Sequence, residues 1–149
     1  MVDFQYKDSY GVKDLEEIVR LLRAPGGCPW DAEQTHQSIR RNFLEEAYEA
    51  VEAIDEGSPE HLKEELGDVL LQVVFHALME QEAGRFDLDA VADGICKKLI
   101  FRHPPTSFGE VSVSGTGEVL SNWESSSGRK GAGHQYRRAG GRGPLPARP

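Results

Sequence analysis

Two short acidic patterns carry the chemistry of this chain: Glu45-Glu46-x-x-Glu49, then Glu65-x-x-Asp68. Acids three apart on a helix lie about one turn apart and project from neighbouring faces. If two such helices pack side by side, their carboxylates point into one space and repel there unless a positive charge sits between them. A hard divalent cation is the natural occupant. An all-oxygen donor set suits Mg²⁺ or Mn²⁺ better than Zn²⁺ or copper. A di-iron carboxylate bundle needs two Glu-x-x-His motifs, and the chain has that spacing once, at Glu33 and His36. Mg²⁺ keeps several waters and binds substrate phosphates as well, so the pattern points to a phosphorylated substrate. The remaining helical acids, among them Glu16, Glu17, Glu52, Asp55, Glu56, Glu80 and Glu82, read as solvated faces.

The elements that must hold these acids are helical. Leu15, Ile18, Val19 and Leu22 follow helical spacing and predict a helix over 13–23, stopped by Ala24-Pro25-Gly26-Gly27. A second helix is expected over 38–55, with Ile39, Phe43, Ala47, Val51 and Ile54 inward and Gly57 closing it. Ser58 is an N-cap with Pro59 in the first helical position of a third helix, 59–83. Leu62, Leu66, Val69, Leu70, Val73, Val74, Ala77 and Leu78 cover more than half of its circumference, which makes it the central element. Gly67 lies inside it, at a helical cost of about 1 kcal/mol relative to alanine, which close approach of a helix or ligand would offset. A fourth helix is expected over 88–101 and a short one around 118–124. No useful period-2 pattern and no internal repeat appears. The expected fold class is all-α, a four-helix-bundle-like domain over 1–124, with 125–149 a basic, Gly/Arg/Pro-rich and disordered tail. That tail is read as a solvated or non-native end.

Composition narrows the partners. The 149 residues make one ordinary domain, 38% apolar and 28% charged. The first 124 residues hold all 25 acids against 11 basic residues, and the last 25 hold 6 basic residues and no acid. An acidic body of this kind argues against a nucleic-acid polymer, but not against one nucleotide bound through a metal. Cys28 and Cys96 fit no metal or redox spacing and read as reduced thiols in a cytoplasm. The N-terminus does not resemble a signal peptide, and no run of about 20 apolar residues offers a membrane span.

The acidic patterns sit within six ordered blocks: GCPWD at 27–31, LEEAYEAVEAI at 44–54, ELGDVLLQVVFHA at 65–77, GRFD at 84–87, RHP at 102–104 and EVLSNWE at 118–124. Together they resemble the MazG family of all-α nucleoside triphosphate pyrophosphohydrolases, over roughly 14–124 and most closely its first-domain type. The resemblance implies Mg²⁺-dependent hydrolysis of NTPs or dNTPs to nucleoside monophosphate and pyrophosphate, in a homodimer or higher assembly. It implies Glu46, Glu49, Glu65 and Asp68 as metal ligands, with Glu45 and Glu46 aiding the attacking water. It further implies Lys98 and Arg102 on the β and γ phosphates and Trp123 stacked on the base. Trp30 reads as a core plug and His76 as a core residue. His36, His61, His76 and His103 show no ligand pairing, and His103 is structural. Two departures from the family pattern stand out. Ile100-Phe101 precedes Arg102 where the family more often has a polar or basic residue, and the segment after Trp123 matches nothing expected. A frame shift or truncation would explain the second. The competing reading is a nucleotide-binding or dimerising module with little turnover.

Overall fold

The computed structural model describes residues 3–102. Five helices are present among them, and no strand: α1 Val12–Arg23, α2 Pro29–Glu33, α3 Arg40–Glu56, α4 Pro59–Glu82 and α5 Leu88–Arg102. The expected all-α class is observed. The chain divides into two units at Leu88/Asp89. α1 to α4 form the first, and the described part of the second is α5 beyond Leu88. The helix expected at 118–124 and the 125–149 tail lie outside the described residues.

α4 is the hub of the first unit, packing on both α3 and α1, while α1 also carries α2. Its apolar content explains that place, but only its C-terminal half is enclosed. Val74, Phe75, Leu78 and Met79 form a buried cluster with Val19 of α1 and Ile39 at the start of α3, and Leu15, Leu71 and Leu88 pack against it. Toward the N-terminus of α4, Leu66 and Leu70 are exposed. An added Cβ on Gly67 would meet nothing within 4 Å, so the close approach expected there is not made by the described residues.

α3 departs from its expected register. Ile54, expected inward, is exposed, and Tyr48, Ala50 and Ala53 are buried instead. Within this unit α3 packs on α4 alone, so it buries one narrow strip, two alanines and Tyr48. Phe43, Ala47 and Val51 are left half-covered at its flank.

The α1–α2 connection depends on one glycine. A Cβ on Gly27 would lie 2.3 Å from the Leu21 carbonyl oxygen and 2.4 Å from that of Leu22, inside van der Waals contact with backbone that has no freedom to move. The Cys28 N–H donates to the Leu22 oxygen at 2.7 Å. Arg23 then ties three elements together. Its Nη1 donates to the carbonyl oxygens of Asp31 (2.7 Å) and Gln34 (3.1 Å), and Nε and Nη2 grip Glu82 of α4 at 2.9 and 2.8 Å. The guanidinium also lies 5.3 Å above the Phe75 ring centroid. Trp30, expected as a core plug, is 59% exposed. It sits on the five-residue α2, where Arg23 rather than the indole anchors the segment.

Candidate metal centre

The turn between α3 and α4 sets the geometry of the acids. Gly57 closes α3 in the left-handed region at φ 70°, where a side chain would be strained. Ser58 caps α4, its Oγ accepting from the His61 N–H at 3.3 Å, and Pro59 occupies the first turn. The result is an antiparallel helical hairpin. Glu49 and Glu65 each lie eight residues from Gly57, and Glu46 and Asp68 each lie eleven. Helices rising equally from one turn therefore bring each pair level.

The structure brings Glu46, Glu49 and Glu65 together, with one carboxylate oxygen of each within 4.8 Å of the others. Glu65 is the most enclosed, with its side chain only 10% exposed. Its Oε2 is buried and has no hydrogen-bond partner among the described residues. Such an atom is costly unless something absent from a bare chain completes it. Burial raises the Glu46 carboxyl above its ordinary range, and the charges of Asp68, Glu49, Glu65 and Glu45 raise it further. The field of Asp68 thus reaches the cluster, although Asp68 is exposed and outside the three-oxygen group. Glu45 faces another way, accepting from Arg41 Nε at 2.9 Å.

These observations fit a divalent cation: hard oxygen donors, mutual repulsion and one orphaned buried oxygen. Of the expected phosphate contacts, Lys98 lies on α5 and is exposed, and Arg102 is the last residue of that helix. Trp123 and His103 lie outside the described residues.

Sequence reasoning missed the histidines. His61 Nδ1 lies 2.7 Å from Glu56 Oε2, and its Nε2 lies 3.0 Å from Glu65 Oε1. Glu56 chiefly, with Glu65, holds the imidazole above its ordinary pKa. The i, i+4 spacing of His61 and Glu65 was a visible signal, whereas Glu56 reaches His61 only because the turn folds it back. Further along α4, His36 Nδ1 is 2.6 Å from His76 Nδ1, with the rings stacked at 5.0 Å. His36 Nε2 meets Glu80 Oε1 at 2.5 Å, and Arg85 grips the same carboxylate. Arg85 first, then His36, pull the Glu80 carboxyl down to about 2. Glu80 is therefore an enclosed, paired side chain rather than the solvated acid expected, whereas Glu56 and Glu82 are exposed as expected and paired as well. His76, expected as a core residue, is half-buried and lowered by desolvation and by His36.

A MazG nucleotide pyrophosphohydrolase domain model matches residues 34–107, a range that includes all four acids together with Lys98 and Arg102. The chain is 51% identical over 110 residues to the uncharacterized protein YabN of Bacillus subtilis, covering 74% of this chain and 22% of that protein. It is 51% identical over 92 residues to the nucleoside triphosphate pyrophosphohydrolase/pyrophosphatase MazG of Thermotoga maritima, covering 62% of this chain and 36% of the relative. Against the Escherichia coli K12 nucleoside triphosphate pyrophosphohydrolase the identity is 47% over 111 residues, 74% of this chain and 42% of the relative. An all-α fold with an acidic helical hairpin and this match define the class: the chain belongs to the MazG family. It spans between 22% and 45% of the length of the curated relatives it matches.

Proposed function

We propose that this chain is a nucleoside triphosphate pyrophosphohydrolase that hydrolyses NTPs or dNTPs to nucleoside monophosphate and pyrophosphate. A house-cleaning role on non-canonical nucleotides is part of this reading. The carrying observation is the convergence of Glu46, Glu49 and Glu65 around an orphaned Glu65 oxygen, inside the segment that matches the family. These three residues, with Asp68 adding charge from one turn away, would hold Mg²⁺, for which Mn²⁺ substitutes. Bound there, the cation supplies neutralisation of phosphate oxygens and a lowered pKa for a coordinated water. The protein's own groups do the rest. Glu46 would also accept a proton from the water that attacks the α-phosphorus, aided by Glu45 beside it on α3. Lys98 and Arg102 would hold the β and γ phosphates, the guanidinium as a fork, and Trp123 would stack on the base. The water oxygen ends on the monophosphate, and pyrophosphate leaves.

Two further features belong to this proposal. A second copy of the chain would cover the exposed apolar residues of α3 and α4, Leu44, Ile54, Leu66 and Leu70. The setting would be the cytoplasm, and no helix among the described residues is long and apolar enough to cross a membrane. The test is pyrophosphate release over a panel of NTPs and dNTPs with and without Mg²⁺. Glu49→Gln and Asp68→Asn should abolish the metal-dependent release while helicity stays near wild type. Full activity in either variant overturns the ligand assignment. The competing reading is a nucleotide-binding or dimerising module with little turnover. Nucleotide binding in Ca²⁺ by calorimetry, without pyrophosphate release in Mg²⁺, would establish that reading instead.

A further inference from the structure

We propose that His61 is a positioning residue for this carboxylate centre, presenting Glu65 to the cation with one oxygen restrained and the other free. This inference rests on the reading that Glu46, Glu49 and Glu65 hold a divalent cation. It adds a device that the cluster alone does not contain.

A glutamate side chain has three rotatable bonds, and a bare carboxylate near Glu46 and Glu49 is pushed away from them by repulsion. Glu65 nevertheless stays enclosed and turned inward, with its side chain 10% exposed. His61, one turn earlier on α4, places Nε2 3.0 Å from Glu65 Oε1, on the helical neighbour spacing where side chains meet. That contact occupies Oε1 and leaves Oε2 buried and unpartnered. The two oxygens are therefore distinguished before any cation arrives.

The ring is itself restrained. Glu56, the last residue of α3, lies 2.7 Å from His61 Nδ1. The His61 backbone N–H is also the donor to the Ser58 cap. Ring and backbone of one residue are thus tied to the α3–α4 turn, and the turn fixes the register that levels Glu49 with Glu65. Glu56, His61 and Glu65 form a chain of contacts from the hairpin turn to the centre. Carboxylate ligands restrained by outer partners in this way typically lose 10–100-fold in metal affinity when the partner is removed.

The probe is Mn²⁺ alone, titrated into the full chain and followed both by the electron paramagnetic resonance of free Mn²⁺ and by calorimetry. His61→Ala should weaken Mn²⁺ binding about 10–100-fold. His61→Gln, whose amide can still donate to Glu65, should recover most of that loss, and Glu56→Gln should show a smaller loss with His61 in place. Pyrophosphate release should show a raised Mn²⁺ activation constant in His61→Ala, with kcat recovered at saturating metal. Wild-type Mn²⁺ affinity in His61→Ala, alongside lost affinity in Glu49→Gln, overturns the positioning role and leaves the centre standing. Wild-type affinity in Glu49→Gln overturns the centre, and this inference with it. If His61→Ala does not fold, Glu56→Gln decides: wild-type Mn²⁺ affinity in that variant overturns the proposal.

Discussion

Replacing Glu46 by glutamine should make the metal-free protein more stable and the metal-loaded protein less so. Glu46 shares a 4.8 Å neighbourhood with Glu49 and Glu65, and burial and those charges together raise its carboxyl. Two unit charges 4.8 Å apart repel by ~1 kcal/mol at the dielectric of water and by ~3.5 kcal/mol at an effective dielectric of 20. Taking the lower figure for two partners, neutralising Glu46 relieves about 2 kcal/mol in the metal-free state. Near the melting point of a domain this size, that is a rise on the order of 5–10 °C. Salt does not erase the effect, because the Debye length at 0.15 M is about 8 Å, longer than the separation. In the wild type, Mg²⁺ at roughly 100 times its Kd adds about 2.7 kcal/mol, and this gain should shrink sharply in Glu46→Gln. The assay is thermal unfolding by circular dichroism, in EDTA and across a Mg²⁺ titration. The expected result is a crossing: the variant melts higher in EDTA and lower in saturating Mg²⁺. A variant that melts with the wild type in EDTA, or gains as much from Mg²⁺, refutes the account of mutual repulsion relieved by a cation.

Three other perturbations follow from the packing. His76 is held below its ordinary value of 6.5 by burial and by His36, so the unfolded chain binds the extra proton and stability falls as pH drops below about 6.5. His61, held above its ordinary value, acts in the opposite sense over the same range, so the readout is the difference: from pH 7.5 to 5.5 the wild-type urea midpoint should fall relative to that of His76→Phe, and a constant difference would remove His76 as a source of pH dependence. Glu80 adds a contribution to stability that is present in full above its ordinary 4.5 and is lost as pH falls toward about 2. Gly27→Ala forces a methyl against the Leu21 and Leu22 carbonyl oxygens and should cost about 2–3 kcal/mol in chemical unfolding. Arg23→Met leaves the Asp31 and Gln34 carbonyls without their donor and should cost about 2–3 kcal/mol, discounted because Glu82 is partly exposed. Faster hydrogen exchange around α2 than elsewhere would locate that loss.

The long helices were legible because their punctuation is chemical. Gly57, Ser58 and Pro59 each suit one position of a helix end, and the turn between α3 and α4 lies where they place it. The meeting of Glu49 and Glu65 was legible for the same reason, since acids at equal distances from a hairpin turn come level, whereas Asp68, level with Glu46 by the same count, stays outside the group. α2 was not legible, because five residues cannot display a 3.6-residue period and its glycine and proline neighbours read as loop. The register of α3 was misread because Ala50 and Ala53 carry little hydrophobic weight, yet small residues are what let two helices approach. The His36–His76 pair joins residues forty apart, and no local pattern marks such a contact. Exposure of Trp30 was hidden too, since the residue that anchors its segment is the cation at the end of α1.

α4 does two jobs with opposite demands, and the order of its residues separates them. Its C-terminal half is dry, enclosed by α1 and the start of α3, and Arg23 and Arg85 hold the carboxylates at its end. This half carries the packing that keeps the helix in place. Its N-terminal half carries Glu65 and Asp68, for which no Lys or Arg contact is seen among the described residues, and it leaves Leu66 and Leu70 exposed. Leu66 adjoins Glu65, and Leu70 follows Asp68 by two positions. A second copy laid over those leucines, as proposed above, would therefore cover apolar surface within one turn of the carboxylates. Water excluded there would strengthen every charge interaction in the centre. The enclosed half of α4 fixes where the acids stand, and the uncovered half makes their electrostatic environment depend on what is laid against it.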